Sequence, residues 1–150
     1  MVNTYSNLFY HIVFSTKSRA DLIHRDIEER VHGYIGGTAR KHGMNAVQIG
    51  GIEDHIHALV VAKPKFQTSQ IVQWLKGESS KWIHETFPEL RTFGWQDGFG
   101  VFSISKSNVS GVIQSIKDQR EHLKKQTFDD EYISMLKLNG IDYDERYVFD

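Results

Sequence analysis

The chain of 150 residues contains no cysteine, only two prolines and no long apolar run. Without cysteine there is no disulfide and no thiolate metal site, so any metal must be bound through histidine, carboxylate or amide ligands. No hydrophobic segment approaches the ~20 residues that a membrane helix requires, and the first residues do not resemble a signal peptide. The formal net charge of −1 argues against a strongly basic nucleic-acid-binding protein. We therefore expect a cytoplasmic protein that does not enter a membrane.

The composition is that of one folded domain. Hydrophobic residues make up 39% of the chain and charged residues 25%, and a chain of this length buries roughly two thirds of its unfolded surface without disulfides or metals. We expect a single domain over residues 1–150, with a core of about 1–106 and a C-terminal part of about 107–150. Residues 128–150 hold seven acidic and two basic side chains, a net charge of −5 that leaves +4 for residues 1–127. The weakly basic part can bind phosphates locally, although an ordinary solvated surface explains the same charges.

The apolar pattern predicts the element order strand, helix, strand, strand, helix, strand. β-branched and aromatic residues favour strands, and apolar residues three and four positions apart favour helices. The predicted strands cover residues 8–14, 44–52, 55–62 and 101–105, and the predicted helices lie around 27–38 and from a cap at Thr68 or Ser69 to Pro88. The three glycines of the first helix weaken it, so we expect it to be short or tightly packed. This order is typical of the ferredoxin-like (RRM-like) α+β fold, an antiparallel sheet covered on one face by two helices.

Two further helices follow the predicted fourth strand. One covers about 108–124, and the other covers about 128–139 with Thr127 as its cap and Gly140 as its end. Because the first two helices cover one face of the sheet, the other face needs water, a partner or a substrate. The helix over 108–124 has an apolar stripe and, roughly 110° around its axis, a polar stripe, so it can pack and still present polar groups. The polar stripe consists of Ser115, Gln119 and His122.

The triplet His55-Ile56-His57 lies at the start of an apolar strand. Side chains alternate along a strand, so the two imidazoles point to one face and Ile56 points to the other. Two imidazoles on one face can bind a divalent metal. The spacing alone is weak, because the eight histidines of this chain give roughly 0.4 such triplets by chance. We place the pair on the face that the first two helices leave open, and we expect His11 of the first strand to be a structural residue, hydrogen-bonded and partly buried.

Five segments carry a resemblance to a known family. They lie at residues 10–17, 54–57, 71–81, 95–103 and 112–122, with the sequences YHIVFSTK, DHIH, IVQWLKGESSK, WQDGFGVFS and VIQSIKDQREH. Each segment is weak by itself, but their order along almost the whole chain is specific. Together they resemble the HUH single-strand transposases of the insertion-sequence and REP-associated tyrosine transposase group.

This resemblance implies a metal-dependent reaction on single-stranded DNA. In that family two histidines and a glutamine of a later helix hold Mg²⁺ or Mn²⁺, which polarises the scissile phosphate, and the matching residues here are His55, His57 and Gln119. The family's nucleophile is a tyrosine four residues before the glutamine, and its position is taken here by Ser115. A serine hydroxyl is shorter than that of tyrosine and has a much higher pKa, so we expect strand cleavage to be lost or altered. Candidate substitutes for the missing tyrosine are Tyr132, Tyr143 and Tyr147.

The resemblance also implies partners. We expect binding to single-stranded or hairpin DNA by a homodimer, in which the helix at the nucleophile position completes the active site of the other subunit. Basic side chains are candidate phosphate contacts, although each alone is more often an ordinary surface residue. They are Lys17, Arg19, Lys106, Arg120, Lys124 and Lys125.

Two other functions are compatible with the sequence. A non-catalytic RRM-like module would bind single-stranded nucleic acid by stacking bases on aromatic side chains of the sheet. The usual aromatic-rich strand signature of such modules is not evident here, and their binding would not depend on a metal. A structural dimer without nucleic acid would show no salt-dependent DNA binding.

Overall fold

A four-stranded antiparallel sheet forms the centre of the computed structural model, which describes residues 3–150. Its strands are β1 (Phe9–Ser15), β2 (Asn45–Ile52), β3 (His55–Val61) and β4 (Gly100–Ile104). The spatial order is β2-β3-β1-β4, and each neighbouring pair is antiparallel. This order and the helices between the strands confirm the predicted ferredoxin-like α+β fold.

Two long helices, α1 (Arg25–Lys41) and α2 (Thr68–Thr86), cover one face of the sheet. Their apolar stripes pack on the alternate residues of β1 and β3 that point to this face, including Phe14 and Ile56. The glycines do not shorten α1, because its apolar stripe is buried along the full length of the helix. The predicted capping of α2 by Thr68 or Ser69 is wrong: residue 67 occupies the N-cap position without a side-chain hydrogen bond.

Three helices of the same chain cover the other face, so the prediction of an open face is wrong. They are α3 (Val109–Lys117), α4 (Gln119–His122) and α5 (Phe128–Leu138). Two hydrophobic clusters attach them to the sheet. One joins Leu59 to Val109 and Ile116, and the other joins Val13 and Phe102 to α5. The sequence pattern did not reveal this because the apolar residues of these helices could equally pack on a partner.

The predicted helix over 108–124 is divided at Asp118. Its backbone (φ −95°, ψ 20°) leaves the α-helical region between α3 and α4, and neither proline nor glycine marks this break in the sequence.

Close packing of α3 on β2 is possible because residue 50 is glycine. A Cβ atom there would lie 2.6 Å from Ile116 Cγ2 and 2.8 Å from the Ile116 carbonyl oxygen.

The ends of α5 agree with the sequence. The Thr127 side chain accepts a hydrogen bond from the Asp130 amide at 3.1 Å, which satisfies one of the free amides of the first turn. Gly140 follows the helix with φ +65°, a conformation that glycine adopts without strain. Among residues 3–150, no helix combines the length and the apolar character needed to cross a membrane.

Candidate metal centre

Strand β3 places His55 and His57 on the face that α3, α4 and α5 cover. Ile56, between them, points to the opposite face and belongs to the core under α1 and α2. Both imidazoles are withdrawn from solvent, with exposed fractions of 0% and 2%. Burial of two histidines side by side is costly unless their nitrogens find partners, so the contacts of each ring nitrogen decide what this site can do.

The side chain of Gln119, the first residue of α4, contacts His55 of β3. Its Oε1 atom lies 2.7 Å from His55 Nε2, and the amide is 2% exposed. The rings of His55 and His57 are 5.1 Å apart between centroids. The structure therefore brings the three predicted ligands together within one chain, although Gln119 is 62 positions beyond His57 in the sequence.

A fourth polar side chain, Glu131 of α5, completes the cluster and was not singled out from the sequence. Its Oε1 atom lies 2.8 Å from His57 Nε2, and its two oxygens lie 3.2 Å and 3.4 Å from Gln119 Nε2. One ligand atom each from His55, His57 and Glu131 lie within 4.8 Å of one another. The signal in the sequence is an acid beside the apolar stripe of α5, which contains Phe128, Tyr132 and Leu136.

Each histidine is held through its Nδ1 atom, which leaves Nε2 directed at the centre. His55 Nδ1 lies 2.7 Å from Asp54 Oδ1, and His57 Nδ1 lies 2.8 Å from His11 Nε2. Partners of this kind orient metal-binding imidazoles and fix their tautomer. The predicted hydrogen bond of His11 is confirmed, and the residue is more deeply buried than expected, at 6% exposed.

The donor set of this centre fits a divalent metal. Two imidazole nitrogens, an amide oxygen and a carboxylate are ligands for Mn²⁺ and, through the oxygens, for Mg²⁺. His57 Nε2 is buried, and among residues 3–150 it has no hydrogen-bond partner of acceptable geometry, although Glu131 Oε1 is close. When His55 donates from Nδ1 to Asp54, its Nε2 lone pair faces the oxygen of Gln119, another acceptor. A cation would satisfy both nitrogens.

Burial and the neighbouring charges set the protonation state of the centre. Burial lowers the pKa of His57 and, together with the charge of His57, lowers the pKa of His11 to about 3. Burial by itself would raise the pKa of Glu131, but its contacts with His57, His55 and Gln119 outweigh burial and lower it. Near neutral pH this favours a neutral His57 imidazole beside the Glu131 carboxylate, which are the forms that bind metal.

Ser115 lies on α3, one turn before Gln119, and is partly buried. Its backbone carbonyl accepts a long hydrogen bond of 3.4 Å from Gln119 Nε2. None of the three candidate tyrosines hydrogen-bonds to the histidines within residues 3–150. Tyr132 packs against Phe128, and burial raises its pKa, which disfavours the phenolate. Tyr143 packs in the same cluster, and Tyr147 is 60% exposed.

The candidate phosphate contacts fall into two groups. Three of them pair with acidic side chains: Arg19 with Asp129 at 3.0 Å, Arg120 with Glu53 at 2.9 Å and with Glu28, and Lys124 with Glu121 at 3.0 Å. Lys17, Lys106 and Lys125 are exposed and have no ion pair within the described part of the chain. Their role toward phosphates stays a prediction.

Known proteins resemble this chain over most of its length. The transposase of insertion sequence IS200 from Salmonella typhimurium is 29% identical over 130 residues, which cover 83% of this chain and 84% of that protein. The ISDra2 transposase TnpA of Deinococcus radiodurans is 21% identical over 119 residues, which cover 76% of this chain and 85% of the relative.

Two solved structures share the fold. One is a protein from Deinococcus radiodurans R1 described as a transposase, with a TM-score of 0.67, 22% identity and coverage of 79% of this chain and 95% of that chain. The other is a REP-associated tyrosine transposase bound to a REP hairpin, with a TM-score of 0.59, 11% identity and coverage of 86% and 75%. At these identities the likeness concerns the fold alone.

The sequence model of the IS200-like transposases matches residues 4–135. This match includes β3 with both histidines, α4 with Gln119, and the part of α5 that carries Glu131. The chain belongs to the IS200-like transposase family.

Proposed function

We propose that this protein binds single-stranded or hairpin DNA as a homodimer and holds a divalent metal at His55, His57 and Gln119, while its strand cleavage is lost or altered. The observation that carries the proposal is the meeting of two imidazole Nε2 atoms and one amide oxygen in a single buried centre. These groups come from distant parts of the sequence, and a chance surface cluster would not be buried and oriented in this way.

The metal in this proposal is Mg²⁺ or Mn²⁺. When bound, it would act as a Lewis acid on a phosphodiester oxygen and stabilise the leaving 3′ hydroxyl. The residues of the chain have separate tasks. His55 and His57 supply nitrogen ligands, Gln119 supplies an oxygen ligand, and Asp54 and His11 keep the two rings turned toward the centre.

The loss or change of cleavage follows from Ser115. A serine hydroxyl at this position reaches less far than the phenol of a tyrosine by the length of a ring, and its high pKa requires a base close by. We infer that none of the three tyrosines replaces the missing nucleophile, because of the surroundings described above for Tyr132, Tyr143 and Tyr147. The protein would then bind DNA and metal without forming a covalent link.

DNA as the partner is supported by the relatives. The IS200 transposase is the product of an insertion sequence, and the REP-associated transposase is bound to a REP hairpin. A stacking RRM-like module receives less support, because α3, α4 and α5 cover the sheet face on which bases would stack. In the homodimer, α3 and α4 could be exchanged between subunits, with the same contacts formed across the interface.

The test compares the natural chain with Ser115→Tyr and Ser115→Phe. Hairpin-forming oligonucleotides from the DNA that flanks the gene are incubated with Mn²⁺, and nicked products and covalent protein–DNA adducts are separated on denaturing gels. We expect Ser115→Tyr to nick DNA and form an adduct, and the other two chains to form none. Phenylalanine controls for the ring without the hydroxyl. Equal nicking by the natural chain and Ser115→Tyr would contradict the assignment of Ser115.

A further inference from the structure

The candidate metal centre is closed to any substrate in this structure. Gln119 is 2% exposed and Glu131 is 9% exposed, and the histidines are at least as buried. A phosphodiester oxygen has to reach the metal for the reaction of this family, so part of the chain must move away first.

Helix α5 closes it through two side chains. Phe128 stacks on the His55 ring at 4.2 Å between centroids, with an interplanar angle of 20°. Three positions later, Glu131 places its carboxylate against His57. An aromatic ring and a carboxylate, one turn of helix apart, thus cover the two imidazoles.

The same helix also occupies a predicted DNA contact. Asp129 pairs with Arg19 at 3.0 Å, and the Arg19 guanidinium lies 4.7 Å from the centroid of the Phe149 ring. Stacking rings and phosphate oxygens are what single-stranded DNA would offer to histidine and arginine side chains. The first turn of α5 therefore presents an aromatic ring and carboxylates to the side chains that would contact the bases and phosphates of single-stranded DNA.

We propose that α5 is a removable block on the metal centre and that Glu131 is a displaceable metal ligand. The inference rests on the function proposed above. In the DNA-free protein Glu131 completes the coordination of the metal with a carboxylate. In the DNA complex a phosphate oxygen takes the place of that carboxylate, and α5 leaves the sheet.

The attachment of α5 is suited to such a movement. The preceding segment, residues 124–127, is exposed on all its side chains, so it can change direction without disturbing a core. Three buried and two partly buried side chains of α5 pack in the small cluster around Val13 and Phe102, which is separate from the core under α1 and α2. The segment 128–150 has a net charge of −5, so it is repelled by an incoming phosphate. This repulsion favours departure of α5 once DNA arrives.

The experiment measures two affinities for each variant. Mn²⁺ binding is measured by calorimetry without DNA, and binding of a fluorescent single-stranded oligonucleotide is measured by anisotropy in Mn²⁺. Glu131→Gln should weaken Mn²⁺ binding about tenfold or more, as loss of an anionic ligand does. It should strengthen DNA binding, because the block is weakened. Glu85→Gln, the same substitution at an exposed acid of α2, is the matched control and should change neither affinity.

The opposite signs of the two changes separate this role from a loss of structure. A misfolded variant would lose both affinities. Glu131→Asp provides a second test, because aspartate keeps the charge but has a shorter side chain. It should shift both affinities in the same directions as Glu131→Gln. An unchanged Mn²⁺ affinity, or a DNA affinity that does not rise, would overturn the proposal for a variant whose circular dichroism is native. Failure of the proposed function itself looks different, because the natural chain would then bind no Mn²⁺ or would bind DNA equally well in chelator.

Discussion

The two histidines of β3 are held in the same way, each by a side chain on its Nδ1 atom. Asp54 precedes His55 directly in the chain, whereas His11 comes from the neighbouring strand β1. The spacing of the histidines was sufficient to predict that they share a face. Their supports were harder to predict, because the partner of His57 depends on strand pairing. Glu131 was missed because, in the sequence, it is one of many acids in the C-terminal part.

His32 of α1 gives a prediction about pH. Its Nε2 atom is buried and has no hydrogen-bond partner among residues 3–150, and burial lowers its pKa below the usual 6.5. In the unfolded chain the ring binds a proton near pH 6.5, but in the folded chain it resists protonation. His32 therefore does not reduce the free energy of unfolding above pH 6.5. Below pH 6.5 it lowers the free energy of unfolding as the pH falls, by up to about 1.4 kcal/mol per pH unit.

Urea unfolding between pH 7 and pH 5 checks this prediction. In His32→Leu the decrease of unfolding free energy with falling pH should be smaller than in the natural chain, because one buried titrating group has been removed. An identical pH dependence in the two chains would show that His32 remains solvated in the folded state.

At the scale of elements, the bend at Asp118 and the anchoring of α4 put Gln119 into the centre. Arg120, the next residue, bridges Glu53 in the turn between β2 and β3 and Glu28 of α1. This pair of contacts joins α4 to the hairpin that carries the histidines. The sequence predicted one continuous helix through Gln119 and gave no sign of the break at Asp118. The division into a core of about 1–106 and a C-terminal part stays a prediction.

Gly50→Ala tests the close packing of α3 on β2. A methyl group would overlap both the side chain and the carbonyl of Ile116, so α3 must shift, at a cost of about 1–3 kcal/mol. Because α4 follows α3 directly, Mn²⁺ affinity should fall as well. Urea unfolding and calorimetry measure the two effects.

Gly77→Ala is the matched control. No atom lies within 4 Å of a Cβ at this position of α2, and alanine favours helix over glycine by about 1 kcal/mol. This variant should be slightly more stable than the natural chain and bind Mn²⁺ equally well. A Gly50→Ala chain as stable as the natural one would mean that α3 is not packed on β2 in solution.

At the scale of the molecule, the centre joins three regions of the chain. Its side chains come from β3, α4 and α5, and His11, which orients the His57 ring, comes from β1. A metal that binds all of them binds only the folded state, so it stabilises that state by mass action. The metal would thus tie the C-terminal helices to the sheet.

Thermal unfolding with and without Mn²⁺ checks this coupling. At a free metal concentration of about 100 times Kd, the stabilisation is about 2.7 kcal/mol, which raises Tm by about 5–10 °C for a chain of this size. Chelator should reverse the shift. His57→Ala should abolish the shift, whereas His24→Ala, an exposed histidine of the loop before α1, should retain it. A shift of equal size in His57→Ala would place the metal elsewhere.

The sequence by itself determined the order of strands and helices, the shared face of His55 and His57, and the family, because these depend on local periodicity and on motifs that are contiguous in the chain. Only the tertiary structure decided that α5 covers the centre, that Glu131 faces His57 and that α3 and α4 are separated at Asp118. The physical reason is that an apolar helix face specifies burial but not the surface it will bury against. A contact between elements far apart in sequence, such as that of Gln119 with His55, depends on how those elements pack, which local periodicity does not specify.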